Sequence, residues 1–192
     1  MAHLLLFYGS TEGQTAKIAS YMAEAIRAQG HTVDLTTHAP QQGSLDESVD
    51  AVIVGASVHA GRHQDTVVQF IKDHRQELAR RPSAFFSVSL TAALGAAAER
   101  AKIETLVHSF LEDVEWTPDI VTTLAGALRY TQYGFLKRFL MKQISRRHNG
   151  PTDTSRDYEF TDWQRVDRFV ERVLRRASAR DVRSPRAADQ RS

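Results

Sequence analysis

The sequence predicts a doubly wound, mostly parallel α/β domain, and three observations carry the prediction. The apolar runs Leu4 to Phe7 and Ala51 to Gly55 show no polar alternation, as strands covered on both faces require. Stretches of helical periodicity separate the strand-like runs, so that successive strands are joined by crossovers and lie parallel. Between the first run and the first helical stretch lies Tyr8-Gly9-Ser10-Thr11-Glu12-Gly13-Gln14-Thr15. A turn of this kind offers N–H groups and hydroxyls in front of the positive end of a helix, so an anion is its natural occupant.

The elements follow in order. Ile18, Ala19, Met22, Ala25 and Ile26 recur at helical spacing from about Thr15, and Gly30 stops that helix. Val33 and Leu35 alternate with polar neighbours, which marks His31 to Thr37 as an edge strand. Ala39 to Val49, with Pro40, Gly43 and Ser44, reads as loop before the strand at Ala51. Asp65 to Arg80 is expected to be one helix with Val67, Phe70, Ile71 and Leu78 inward, and Pro82 ends it. Ser83 to Leu90 is a third central strand, Ala96 to Val114 a helix with Ile103, Leu106, Val107, Phe110 and Leu111 on one stripe, and Ile120 to Leu124 a further strand. The last helix has Thr161 and Gln164 as an expected capping box, with Trp163, Val166, Phe169, Val170, Val173 and Leu174 buried. One domain is expected over 1–176, with an insertion at about 130–157 and a disordered basic tail over 177–192.

Composition narrows the function classes. Of 192 residues, 42% are hydrophobic and 25% charged, which is globular usage. Cysteine is absent, so disulfides, thiolate metal sites and a cysteine nucleophile are excluded. No signal-peptide pattern opens the chain, and no apolar run reaches the roughly 18 residues a membrane span needs. The pI near 9.0 and the cations of the second half favour nucleic acid, anionic lipid or an anionic small molecule. Nucleic acid is not expected as a partner, because the arginines of the tail alternate with Asp181 and Asp189 and no binding motif accompanies them. His59 and His63 lack a third ligand at matching spacing, so no metal is expected. Ser57 lacks the flanking glycines of a nucleophile elbow.

The glycine loop fails two familiar tests. A Walker loop needs a lysine where Gln14 stands, and a dinucleotide fingerprint needs a third glycine beside Gly9 and Gly13. A hydroxyl-rich loop without a cation suits a single terminal phosphate monoester. The string Gly9-Ser10-Thr11-Glu12-Gly13-Gln14-Thr15 resembles the flavodoxin signature, which cradles the phosphate of FMN. Glu12 departs from the threonine usual there, and its carboxylate must face away from a bound phosphate.

Between Leu128 and Thr161 lies more chain than one crossover needs. Gly134 to Arg147 is expected to be a helix with Phe135, Leu136, Phe139, Leu140 and Ile144 on an apolar arc and Arg138, Lys142 and Arg146 in a row on the other side. From Leu4 to about Val173 the chain resembles the flavodoxin-like protoporphyrinogen IX dehydrogenases of bacteria. The resemblance rests on Glu12 to Thr15, Val54-Gly55-Ala56-Ser57, Pro82-Ser83-Ala84-Phe85, Ala125-Gly126-Ala127-Leu128-Arg129-Tyr130, Thr152-Asp153-Thr154 and Tyr158-Glu159-Phe160-Thr161-Asp162-Trp163. It implies a flavodoxin-like five-stranded sheet of order 2-1-3-4-5 whose last strand is interrupted by the insertion and resumes near Tyr158 to Phe160. One departure stands out. Where the best-known members carry a basic, proline-containing loop after Thr91, this chain reads Ala92-Ala93-Leu94-Gly95-Ala96-Ala97-Ala98.

The resemblance further implies FMN as cofactor, with its phosphate on Ser10, Thr11, Glu12, Gly13, Gln14 and Thr15. The ring is expected among Ala56, Ser57, Val58 and His59, Leu90, Thr91 and Ala92, and Gly126, Ala127 and Leu128. No catalytic side chain is expected, because the flavin carries the chemistry. The implied reaction is oxidation of protoporphyrinogen IX to protoporphyrin IX in heme biosynthesis, with electrons passed to a membrane quinone. Its propionates direct attention to Arg129, with Tyr130, Tyr133, Lys137 and Arg138 nearby. The implied location is cytoplasmic, held peripherally on the inner face of the cell membrane through 134–147. An FMN electron carrier docking on protein redox partners is the alternative reading, and an FMN-binding module without a redox partner is a third.

Overall fold

The computed structural model describes residues 1–38, 45–94, 97–147 and 150–181. Five parallel strands form the sheet: β1 (His3–Gly9), β2 (Thr32–Thr36), β3 (Ala51–Ser57), β4 (Ser83–Ser89) and β5 (Ile120–Ala125). Their spatial order is β2-β1-β3-β4-β5, so the order reverses between β1 and β3. The expected topology is thus present, with Thr32–Thr36 as the edge strand. Around it lie α1 (Gln14–Ala28), α2 (Asp65–Asp73), α3 (Arg75–Arg80), α4 (Thr91–Leu94), α5 (Ala97–Asp113), α6 (Phe135–Arg147) and α7 (Trp163–Asp181).

The period-two geometry of a strand splits each apolar run between two cores. Leu4 and Leu6 face α1 and α7, where they join Ile18, Met22, Phe86, Phe169 and Val170. Leu5 and Phe7 face the opposite layer, with Val54, Phe70, Ile71, Phe85 and Phe110 from β3, α2, β4 and α5. Each run is therefore apolar throughout because neither face meets water.

Several boundaries differ from expectation. The helix expected over Asp65 to Arg80 is divided at His74, which has φ −110° and is buried against Phe70, with Nδ1 3.0 Å from Glu77. The helix expected over Ala96 to Val114 is present as α5, while the short α4 before it was not expected. The cap of α7 is Asp162 rather than a Thr161–Gln164 box: Asp162 Oδ1 accepts the N–H of Arg165 at 3.0 Å. Thr161 is used elsewhere, since its hydroxyl donates to the Ala125 carbonyl at 3.0 Å. The helix also continues past Arg176 to Asp181, with Ala177 in the core, so the tail cannot begin at 177. Residues 182–192 of the expected tail, and 39–44 of the expected loop before Ala51, lie outside the described residues.

The chain after β5 does not return to the main sheet. β6 (Ala127–Leu128) pairs antiparallel with β7 (Tyr158–Glu159), pairing Ala127 with Glu159 and Leu128 with Tyr158. The returning segment is therefore a separate two-stranded ladder and not a resumed β5. Leu128, Tyr130 and Tyr133 form a small third core there, with Leu90, Met141, Tyr158 and Phe160 packed on it.

One core residue makes stability depend on pH. His63 is 7% exposed, its ring lies 4.2 Å from that of Phe110, and its Nε2 is 2.9 Å from Ser87 Oγ. Burial lowers its pKa from 6.5 to about 4. A depressed histidine pKa means that the unfolded chain binds the proton first, so stability is lost as pH falls from 6.5 toward 4. Between about pH 7.5 and about pH 4.5 this group is expected to remove roughly 2 kcal/mol, which urea unfolding measures. His63→Gln should show a smaller loss over the same interval, and an identical loss would assign the acid sensitivity to other groups.

Candidate functional site

Parallel strands bring their carboxyl-end loops to one rim, and ligands bind there where strand order reverses. The loop after β1 and the loop after β3 meet at that point. The first is built around Gly13, whose φ of +85° is open to glycine and costly for other residues, and which stands at the N-cap of α1. Ser10 Oγ accepts the Gly13 N–H at 3.1 Å and closes the turn. No side chain caps α1, so its first N–H groups are left for something else. Thr15, in the first turn, is 1% exposed, and its hydroxyl is buried without a partner among the described residues. An orphaned hydroxyl beside an uncapped helix start is what a phosphate oxygen would satisfy.

The second loop is tied to the first by Gln64, at the start of α2. Its Oε1 accepts the Ser57 N–H at 3.1 Å, while its amide nitrogen donates to Thr11 Oγ1 at 3.0 Å and to Ser57 Oγ. Gly9 permits this approach, since a Cβ there would lie 2.7 Å from Val67 Cγ2. A tight turn follows in which His59 and Arg62 exchange backbone bonds of 2.8 and 3.0 Å around Ala60 and Gly61, both with positive φ.

These loops enclose a cleft of about 620 Å³, lined by Thr11, Glu12, Gln14 and Thr15 from the first loop, Ser57 to Gly61 from the second, Val88 to Thr91 after β4, and Gly126 and Ala127 after β5. Its remaining wall is Leu140, Met141 and Ile144 of α6. No lysine or arginine is among the described residues lining it.

The insertion is fastened to the first loop by two polar links. Tyr133 donates its phenol proton to Glu12 Oε2 at 2.5 Å and accepts the Arg129 N–H at 3.3 Å. Burial, reinforced by the bond to Glu12, pushes the Tyr133 phenol far above its ordinary value, so it stays a proton donor throughout the physiological range. Arg129 Nη2 donates to Gln14 Oε1 at 3.1 Å, while Gln14 Nε2 donates to Thr161 Oγ1 at 2.9 Å. Glu12 Oε1 also stands 3.9 Å from His59 Nδ1.

Of the residues expected around a cofactor, Thr11, Glu12, Gln14, Thr15, Ser57, Val58, His59, Leu90, Thr91, Gly126 and Ala127 line the cleft. Ser10 and Gly13 shape the turn, and Ala56 is buried in β3. Ala92 gives its N–H to Ser89 Oγ, and Leu128 is buried in the third core.

The residues expected to hold a substrate are placed differently. Tyr130 is fully buried and donates to the Pro151 carbonyl at 2.8 Å, and Tyr133 is buried on Glu12. Arg138 is not an outward cation, because its guanidinium donates to the carbonyls of Tyr130 and Tyr133 at 2.9 and 3.1 Å. Arg129 is turned to Gln14 and does not line the cleft. The side chain of Lys137 lies outside the described residues. Sequence reasoning missed Gln64 and Thr161, whose roles depend on contacts across the fold. It also missed that Leu140, Met141 and Ile144 wall the cleft, although two of them were on the expected apolar arc.

Comparison with known proteins agrees with this architecture. The family described as Flavodoxin domain matches residues 5–155. Protoporphyrinogen IX dehydrogenase [quinone] of Escherichia coli (strain K12) is 32% identical over 169 residues, covering 88% of this chain and 93% of that protein. The protein of the same name from Leishmania major is 32% identical over 170 residues, covering 86% and 72%. Among solved structures, oxidised flavodoxin 1 from Bacillus cereus is similar in fold, with TM-score 0.54, 15% identity and coverage of 91% and 98%. The rubredoxin oxygen:oxidoreductase of Desulfovibrio gigas also shares the fold, with TM-score 0.52 and 18% identity, covering 92% of this chain and 36% of that one. The chain belongs to the flavodoxin domain family and, through its match to those relatives over most of their length, to the protoporphyrinogen IX dehydrogenase [quinone] family.

Proposed function

We propose that the protein is an FMN-dependent dehydrogenase that oxidises protoporphyrinogen IX to protoporphyrin IX in heme biosynthesis and passes the electrons to a quinone. The observation that carries the cofactor reading is the buried, unpartnered hydroxyl of Thr15 beside the uncapped start of α1, at the foot of a cleft on the rim where strand order reverses. The substrate and acceptor follow from relatives of that name that match the chain over nearly nine-tenths of its length. The carrier alternative finds less support, since the Bacillus cereus flavodoxin that shares the fold is 15% identical to this chain and the Escherichia coli dehydrogenase 32%.

Bound in this cleft, FMN supplies the electron-accepting chemistry. The chain's residues bind and orient it. N–H groups of the loop and the hydroxyls of Ser10, Thr11 and Thr15 would hold the phosphate, with Glu12 held aside by Tyr133. Val58, Leu90, Gly126 and Ala127 would bound the ring, and Leu140, Met141 and Ile144 would keep water from its open side. Arg129 then acts on the substrate only indirectly, by steadying Gln14 and the root of the insertion.

Membrane contact through α6 belongs to the same reading. No helix among the described residues is long and apolar enough to cross a membrane. Yet Phe135 and Leu136 are 88% and 80% exposed, Phe139 and Leu140 more than half, and Lys142 and Arg146 stand exposed on the same helix. An apolar edge bordered by cations suits the headgroup boundary of an anionic bilayer on the cytoplasmic side.

Three outcomes are expected. Thr15→Val removes the orphaned hydroxyl at constant shape, so the apoprotein should be at least as stable as wild type while FMN affinity falls about 10- to 150-fold. Fluorescence titration of the apoprotein measures this, and an unchanged affinity would remove the phosphate assignment. Wild-type protein mixed anaerobically with protoporphyrinogen IX should bleach the flavin absorbance and regain it on adding a quinone. Failure to bleach, together with ready electron exchange with a flavoprotein reductase, would establish the carrier instead. Finally, Lys142→Glu with Arg146→Glu should weaken sedimentation with anionic vesicles about thirtyfold, less so at high salt. Equal sedimentation of the variant and wild type would exclude these cations from membrane contact.

A further inference from the structure

Residues spaced by four positions on a helix form a ridge along its surface. On α6 the ridge Leu136, Leu140, Ile144 runs from solvent into the cleft. Leu136 is 80% exposed, Leu140 is 57% exposed and already lines the cleft, and Ile144 lines it from a partly buried position. Phe135 and Phe139 widen the outer end, and Met141 the inner. The row is apolar from end to end, and the cleft that it enters carries no lysine or arginine among its described lining residues.

We propose that this ridge is the entry route and binding surface of the electron acceptor, a lipophilic quinone whose ring reaches the cleft beside Ile144 and Met141 while its hydrocarbon tail lies along Leu140 and Leu136. The inference rests on the FMN-dependent reading above and adds to it a place for the acceptor. Charge decides between the two reactants. A substrate with carboxylates needs cations, which neither the ridge Leu136, Leu140, Ile144 nor the described lining of the cleft supplies, whereas a neutral ring with an apolar tail gains from burying hydrocarbon against hydrocarbon. In the transfer, two electrons and two protons pass from the reduced cofactor to the quinone, whose two carbonyl oxygens each take a proton. It leaves as the quinol, and the cofactor is again oxidised.

The chain has no cysteine, so Leu140→Cys carries the sole thiol of the protein. Its alkylation by iodoacetamide should be slowed about fivefold or more by a fully ring-substituted benzoquinone bearing a ten-carbon tail, which cannot add the thiol, in apoprotein and FMN-loaded protein alike, and unaffected by a sulfonated, tail-less anthraquinone. A second measurement uses FMN-loaded protein reduced by light and a deazaflavin donor, so that protoporphyrinogen takes no part. The ratio of reoxidation rates by the tailed and the tail-less quinone should fall about tenfold in Leu136→Gln, a change at an exposed position that leaves the core intact. Equal alkylation rates with and without the tailed quinone, or an unchanged ratio in Leu136→Gln, would overturn the route. So would protection of the thiol by a porphyrin dicarboxylate in place of the quinone, which would give the ridge to the reductant. A protein that passes both tests yet is not bleached by protoporphyrinogen keeps the acceptor route and loses the substrate assignment.

Discussion

The hydrogen bond from Tyr133 to Glu12 fixes where the insertion stands. A carboxylate in an anion-binding loop would repel the anion if it were free to turn inward, and its desolvation is tolerable only with a strong donor. The buried phenol is that donor, and because its proton is held far above the physiological range the link does not switch off. Gln14 repeats the arrangement two residues later with Arg129 on one side and Thr161 on the other. The side chains of one short loop thus join β1, the root of the insertion and the segment leading into α7. The wall that α6 adds to the cleft depends on these joints, since Arg138 in turn binds the helix to the carbonyls of Tyr130 and Tyr133.

Much of this was legible in the sequence, for reasons tied to particular residues. Continuous apolar runs such as Ala51 to Gly55 can be satisfied only between two layers, and Gly13 in a turn before an apolar-periodic segment has few other uses. What was illegible depended on partners distant along the chain. Thr161 has the spacing of a helix cap, yet its hydroxyl is committed to Ala125 and Gln14, and the neighbouring Asp162 takes the role. Arg138 falls in a row with Lys142 and Arg146, but the carbonyls of Tyr130 and Tyr133, in the segment before its own helix, are within its reach. Tyr130 and Tyr133, shortly after the turn at Gly126, were expected to touch a substrate and instead form a small core with Leu128. Periodicity shows that a helix has an apolar face; only the fold shows what that face meets.

The cleft and the surface differ in character. The chain is basic overall, with formal net charge +2, but the described cleft lining holds no lysine or arginine and, apart from Glu12, Gln14 and His59, is apolar and hydroxylic. Its cations are employed around the cleft: Arg129 on an amide, Arg138 on carbonyls, Lys17 on Glu159 of β7. Positive charge therefore contributes to holding the scaffold and to the outer face of α6, while selectivity inside the cleft is left to shape and hydrogen-bonding groups.

The two-residue ladder between β6 and β7 bears on how such a domain can acquire an insertion. Because Leu128 is paired with Tyr158, the chain leaves and re-enters the domain at adjacent points, and everything between is a closed excursion whose ends the host already holds together. The entropy of closing a loop grows only with the logarithm of its length, so segments between those points can be lengthened, shortened or exchanged with little change in the stability of the sheet. Seen in this way, the excursion is an interchangeable module on a fixed socket, and relatives that share the sheet are free to differ in what they mount there.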